Sequence, residues 1–258
     1  MEPDLDFLDQ LADAAALQTL PLFRSKLDVD NKYTTGFDPV TEADRAAERA
    51  IRTLINEKFP THGILGEEYG AENTSAEFVW VIDPVDGTRA FIAGLPVWGT
   101  LVGLYHNGRA VMGLMDQPFT RERYSASSQG AFYRHGESPR ARLETREGVD
   151  LGDAILMTTS PALYGEIDAT AYRRLESSVR LARYGCDCYA FAMVAGGYVD
   201  ICIESGLQSY DIAGLIAVIE HAGGVVTDWS GGRPEQGGNI IACGSKALHE
   251  QALALLTS

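Results

Sequence analysis

The segment Asp83-Pro84-Val85-Asp86-Gly87-Thr88 is the part of this chain best equipped to do chemistry. Its two carboxylates follow an apolar run, Phe78-Val79-Trp80-Val81-Ile82. Pro84 fixes the backbone between them and Gly87 permits a tight turn, so both can face one point. If Gly87-Thr88 opens a helix, its free N–H groups can receive a phosphate oxygen. The same pattern also fits an acidic turn whose Asp does no more than cap a helix. Two further acids stand at element ends. Glu67 follows the apolar Gly63-Ile64-Leu65-Gly66, and Asp211 precedes Ile212, Leu215, Ile216 and Ile219, where it could be that helix's N-cap. Oxygen ligands with no His or Cys nearby describe a site for a hard cation, and a phosphate substrate favours magnesium over calcium there. So many charges suit two or more ions. A pair of ions about 4 Å apart can clamp the attacking and leaving oxygens of an in-line displacement, with no covalent nucleophile required. Asp44 has two compatible readings: the acidic partner in a capping box begun by Thr41, or a group that orients the Thr88 hydroxyl toward an attacking water.

The elements that must carry these groups can be read from periodicity. Leu5, Leu8, Leu11, Ala12, Ala15 and Ala16 predict an amphipathic helix over 4–26. A second is predicted from 41 to about 59, with Ala47, Ala50, Ile51, Leu54 and Ile55 on its apolar face and Pro60 as its stop. Short buried strands over 63–66 and 78–82 then end in Glu67 and Asp83. Asn107-Gly108 between two apolar runs predicts a hairpin, and more short strands are expected over 122–134. Beyond about 150 the rhythm changes. It predicts strands at 154–158, 199–203, 224–227 and 239–243, and helices near 170–182, 188–196, 212–222 and from 245, where Asp187 could be the N-cap of 188–196. The expectation is an α+β half over 1–148 and a layered α/β half over 149–258, sharing one cleft.

Composition narrows the function classes. A chain of 258 residues, 45% apolar and with 27 glycines, is an ordinary globular protein able to bury a large core. A formal charge of −15 argues against nucleic acid as a partner and implies that an anionic substrate needs bound cations. No membrane-spanning run or secretion signal is evident, so a soluble, cytoplasmic protein is expected. Cys186 and Cys188 lack a His at zinc-ligand spacing. The five histidines stand apart from one another and receive no catalytic role.

Pro39-Val40-Thr41-Glu42-Ala43-Asp44, Gly66-Glu67-Glu68, Asp83-Pro84-Val85-Asp86-Gly87-Thr88 and Tyr210-Asp211-Ile212-Ala213, taken together and in this order, resemble the inositol monophosphatase superfamily. The resemblance runs from about residue 5 to 256. It implies an αβαβα sandwich, a homodimer and a phosphate monoester substrate. It also implies two or three Mg2+ ions held by the carboxylates of Glu67, Asp83, Asp86 and Asp211 and by the Val85 carbonyl. Asp44 and Thr88, with Glu67, would then activate water, the Gly87 and Thr88 amides would hold phosphate, and Glu68 would lie one layer out. Arg89-Ala90-Phe91 replaces the Asn-Phe pair usual after this motif in inositol phosphatases. With Asp116-Gln117-Pro118, Thr158-Thr159-Ser160-Pro161 and Asp187-Cys188-Tyr189, it is similar to the histidinol-phosphate phosphatase branch. That branch implies hydrolysis of L-histidinol phosphate in histidine biosynthesis. Asp187 and Glu204 are candidates to meet the cationic substrate, Glu204 reading equally as a strand-end surface acid, and Arg89 is a candidate to anchor phosphate or a neighbouring subunit, or a solvated surface residue. Inositol monophosphate, and less readily a nucleotide bisphosphate or sugar bisphosphate, are the alternative substrates. A catalytically silent metal-binding protein is the alternative outside enzymes.

Overall fold

The computed structural model describes residues 3–25, 30–31 and 39–257. Its helices are α1 (Leu5–Thr19), α2 (Glu42–Lys58), α3 (Thr88–Ala93), α4 (Glu166–Glu176), α5 (Asp187–Ala195), α6 (Ser209–His221) and α7 (Lys246–Leu256). A two-stranded ladder pairs β1 (Asp30–Asn31) with β2 (Pro39–Val40). An eight-stranded sheet is built from β3 (Gly63–Gly66), β4 (Gly70–Glu72), β5 (Phe78–Asp86), β6 (Gly99–His106), β7 (Arg109–Gln117), β8 (Glu122–Ser127), β9 (Gly130–His135) and β10 (Ala141–Arg142). Its spatial order is β10-β9-β8-β7-β6-β5-β3-β4. The five-stranded sheet, β12-β11-β13-β15-β14, uses β11 (Ile155–Thr158), β12 (Leu181–Tyr184), β13 (Ile201–Leu207), β14 (Val225–Asp228) and β15 (Gly238–Cys243).

These elements stack as αβαβα. Leu8, Leu11 and Ala15 of α1 and Ala47, Ile51 and Ile55 of α2 bury one face of the larger sheet against Trp80 and Ile82. Its other face receives α5 and α6, whose Phe191, Ile212, Leu215 and Ile216 share a core with Val81, Leu101 and Met115. The smaller sheet closes this middle layer on one side. On its far side it packs Leu156, Ile203 and Ile241 against Tyr172 of α4 and Leu248 and Ala252 of α7. α6 lies unusually close to β6 and β7. A Cβ on Gly214 would stand 2.4 Å from the Leu114 carbonyl oxygen, and one on Gly103 would stand 2.5 Å from that of Ala213. Glycine is therefore required where this helix, which carries Asp211, rests on the sheet.

Several predicted boundaries move, each for a local reason. The first helix ends at Thr19 because Pro21 cannot continue it. The helix expected near 170–182 stops at Glu176, and Leu181–Tyr184 is instead an edge strand parallel to β11. β5 does not end at Ile82. It runs through Pro84 to Asp86 with its register against β6 shifted between Asp83 and Asp86, as a residue without an N–H demands in a ladder.

Candidate active site

Strand pairing creates the first half of the site. β3 and β5 are parallel with Gly66 opposite Ile82, and the Glu67 amide donates to the Ile82 carbonyl at 3.1 Å. The residue that follows Gly66 on one side and Ile82 on the other is a carboxylate, so Glu67 and Asp83 come to lie side by side. The irregularity after Asp83 then turns Asp86 toward the same point. Asp83 Oδ1 accepts from the Val85 amide at 3.1 Å, and the Thr100 hydroxyl holds the Pro84 carbonyl at 2.9 Å.

The second half comes from the middle layer. Asp211 is the third residue of α6 and not its N-cap: Gln208 caps, and Asp211 Oδ2 accepts from the Gln208 amide at 2.7 Å in a capping box. This fixes the carboxylate at the helix start. Asp83, Asp86 and Asp211 each offer an oxygen, and all three lie within 4.8 Å of one another.

α5 likewise departs from expectation. Cys186 occupies the N-cap position, and Asp187 is the first helical residue in a left-handed conformation, φ 43°. No side chain of its own caps this helix. Asp86 does so from the other sheet, accepting from the Cys188 amide at 2.7 Å. Asp187 packs directly on Gly87, whose own φ is 82°, and a Cβ at Gly87 would stand 3.1 Å from the Asp187 Cβ.

Electrostatics follow from this crowding. Burial pushes the Asp83 carboxyl well above the ordinary range, and the charges of Glu67, Asp86 and Asp211 push it further. Asp86 is raised by burial and by Asp187 and Asp211, against the opposing Cys188 hydrogen bond. No Lys, Arg or His among the described residues forms an ion pair with Asp83 or Asp86. Clustered acids held at such a cost are suited to a multivalent cation, and the all-oxygen donor set fits magnesium or another hard ion. Val85, buried between them, has its carbonyl against the Thr88 hydroxyl at 3.2 Å.

Asp44 is fully engaged on one oxygen and bare on the other. Oδ2 accepts from the Thr41 amide at 2.9 Å and the Thr41 hydroxyl at 2.6 Å, completing the capping box of α2. Oδ1 is buried without a hydrogen-bond partner. Burial lifts this carboxyl to about 6, with the Glu67 charge adding to the effect. No hydrogen bond joins it to Thr88, whose hydroxyl turns to Val85. Glu204 is 6% exposed and accepts from the Thr159 amide at 2.5 Å and the Thr158 hydroxyl at 3.3 Å. Burial takes its carboxyl to about 7, and the Asp187 charge contributes. Asp187 is raised to about 6 by burial, with Arg89 pulling the other way. Arg89 itself is exposed on α3.

One residue of this neighbourhood escaped the sequence analysis. Glu48 on α2 is wholly buried and accepts from the Glu68 amide at 2.7 Å, the Tyr69 amide at 3.2 Å and the Arg52 Nε at 2.7 Å. It clasps the turn that presents Glu67. Its signal was available, because an acid there falls on the apolar stripe of Ala47, Ile51 and Ile55.

This fold and cleft belong to the metal-dependent phosphoric monoester hydrolases. Residues 1–258 match the model of the inositol monophosphatase family, and the chain belongs to that family. It is 42% identical to the bifunctional phosphatase IMPL2 of Arabidopsis thaliana, over 95% of this chain and 72% of that protein. It is 33% identical to the histidinol-phosphatase of Streptomyces coelicolor, over 98% and 96% of the two chains. An inositol monophosphatase from Zymomonas mobilis superposes with a TM-score of 0.86 at 35% identity, covering 98% of this chain and 97% of that one. No helix among the described residues is long and apolar enough to cross a membrane.

Proposed function

We propose that this protein is a magnesium-dependent phosphatase that hydrolyses L-histidinol phosphate to L-histidinol and phosphate. The observation that carries the substrate is the pair Asp187 and Glu204. Both are carboxyls that burial makes costly to ionise, and each feels the other or the metal cluster beside it. An ammonium or imidazolium group entering the cleft offsets that cost, whereas a neutral polyol leaves it standing. Relatives named histidinol-phosphatase support the same choice.

In this reading Glu67, Asp83, Asp86, Asp211 and the Val85 carbonyl would hold two or three Mg2+ ions. Bound magnesium supplies Lewis acidity, lowering the pKa of water and offsetting charge on the phosphoryl oxygens. The amides of Gly87 and Thr88 would hold the phosphate, and Arg89 at the rim would add positive charge. Asp44 Oδ1 is the buried acceptor to which the Thr88 hydroxyl and an attacking water can be oriented. The water oxygen bonds to phosphorus, the ester P–O bond breaks, and the alcohol departs with a proton. The protein acts in the cytoplasm as a homodimer.

A second reading is inositol monophosphate as substrate, favoured by the likeness to the Zymomonas mobilis enzyme. A phosphate-release assay with magnesium decides between them. Histidinol phosphate should be turned over with the higher kcat/KM, and Glu204→Gln should raise its KM by about tenfold or more while changing inositol phosphate turnover little. A kcat/KM for inositol phosphate well above that for histidinol phosphate overturns the proposal.

A further inference from the structure

A second cavity, of about 540 Å³, runs along the flank of α5 and is lined by none of the carboxylates described above. The ladder between β8 and β9 sets Tyr124 opposite Tyr133 and Glu122 opposite His135. Side chains alternate along a strand, so Glu122, Tyr124 and Tyr133 share the face turned toward α5. Tyr189 meets them from that helix. Its hydroxyl donates to Glu122 Oε2 at 2.8 Å, while the hydroxyls of Tyr133 and Tyr124 donate to Oε1 at 3.1 and 3.5 Å. The Tyr124 ring lies 5.0 Å from that of Tyr133 and 6.4 Å from that of Tyr189, at 86° to the latter. Tyr198, 70% exposed, stands at the lip.

Glu122 has no cationic partner among the described residues. Arg142 borders the cavity, but its register opposite Phe132 sends the guanidinium over that ring at 5.7 Å, on the other face of the ladder from Tyr133. The His135 ring makes no ion pair with Glu122. Three phenols occupy most of the roughly four acceptor positions of a carboxylate. They hold the anion in place without neutralising it. A fixed negative charge walled by aromatic rings is the chemistry that recognises organic cations, through charge pairing and ring quadrupoles together.

We propose that this cavity is a second ligand site, separate from the phosphoester cleft, for a small organic cation bearing an ammonium group. Its occupancy reaches the metal cluster through one turn of helix. Tyr189 directly follows Cys188, whose amide holds Asp86. A cation that draws Glu122 Oε2 away from the Tyr189 hydroxyl acts on the turn that positions Asp86.

The test uses choline and its uncharged isostere 3,3-dimethyl-1-butanol as probes on the full-length protein, without phosphoester substrate, so it stays readable if the substrate assignment fails. By isothermal titration calorimetry, choline should bind at one site, and the isostere about tenfold more weakly. Glu122→Gln should weaken choline by about tenfold. Tyr198→Ala, at an exposed position that cannot disturb the core, should weaken it by about threefold and keeps the test open if Glu122→Gln folds poorly. In amide NMR spectra choline should shift the Cys188 resonance in the wild type. Failure of choline to bind, equal affinity for the isostere, unchanged affinity in a folded Glu122→Gln variant, or displacement by inorganic phosphate with magnesium would each overturn the separate site. A Cys188 resonance unmoved by bound choline would overturn the link to Asp86.

Discussion

The Cys188 amide donates to Asp86 Oδ2 at 2.7 Å, joining residues 102 positions apart. A carboxylate at the end of one sheet thereby caps the helix that begins the wall of the cleft. Asp86 carries two duties, one to the cation site and one to α5, and the two can be separated by substitution. Asp86→Asn keeps an acceptor for Cys188 while removing a charge from a cluster that repels itself. Phosphatase activity should fall by at least about a hundredfold. The metal-free variant should melt at or about 2 °C above the wild type, as relief of roughly 1 kcal/mol in a chain of this size implies. Retained activity would remove Asp86 from the site.

Glu48 separates positioning from ligation. Glu48→Ala leaves the Glu68 and Tyr69 amides and the Arg52 guanidinium without their shared acceptor. The expected cost is about 3 kcal/mol of stability, with a tenfold to hundredfold loss of magnesium affinity. Urea unfolding and magnesium titration check these separately. A stability loss with unchanged metal affinity would confine Glu48 to a structural role.

Gly214 tests whether the seat of α6 sets the position of Asp211. Gly214→Ala places a methyl group against the Leu114 carbonyl and within about contact of Val102 and Leu101. Overpacking of this kind should cost about 1–3 kcal/mol, and magnesium binding should weaken because the helix start must move. Equal affinity in a destabilised variant would show that Asp211 is held by its capping box alone.

The metal-free protein should lose stability as pH rises from about 4 to 7. Glu204 holds its proton to about 7 in the fold against an ordinary 4.5, and Asp44 and Asp187 hold theirs to about 6 against 3.8. Through that window the native state binds more protons than the unfolded chain, so the contribution present below about pH 4 fades on deprotonation. Melting in chelator at pH 5 and pH 8 should differ by about 10 °C, roughly 5 kcal/mol in all. Glu204→Gln should flatten the slope, and magnesium should restore stability at pH 8 by binding the native state. A melting temperature that climbs across this range in chelator would contradict the assignment of these carboxyls.

Sequence alone determined the parts list. The apolar periodicities of α1, α2 and α6 and the Asn107-Gly108 hairpin were readable because each depends on neighbours within a few residues. So were the carboxylates at the ends of β3 and β5 and the capping box of Thr41 and Asp44. What local spacing could not reveal was who meets whom. Asp187 looked like a helix cap because Asp caps well, yet the cap of α5 is Asp86, brought from another sheet. Leu181–Tyr184 became a strand because β11 offered it an edge, and Glu48 became a clasp because packing of α2 set it beneath the Glu68 turn. Glu122 gained two of its three phenols in the same way, Tyr133 from the neighbouring strand and Tyr189 from α5. Tertiary structure decided these pairings because burial makes an unpaired polar group expensive, and the partners that satisfy it can lie anywhere along the chain.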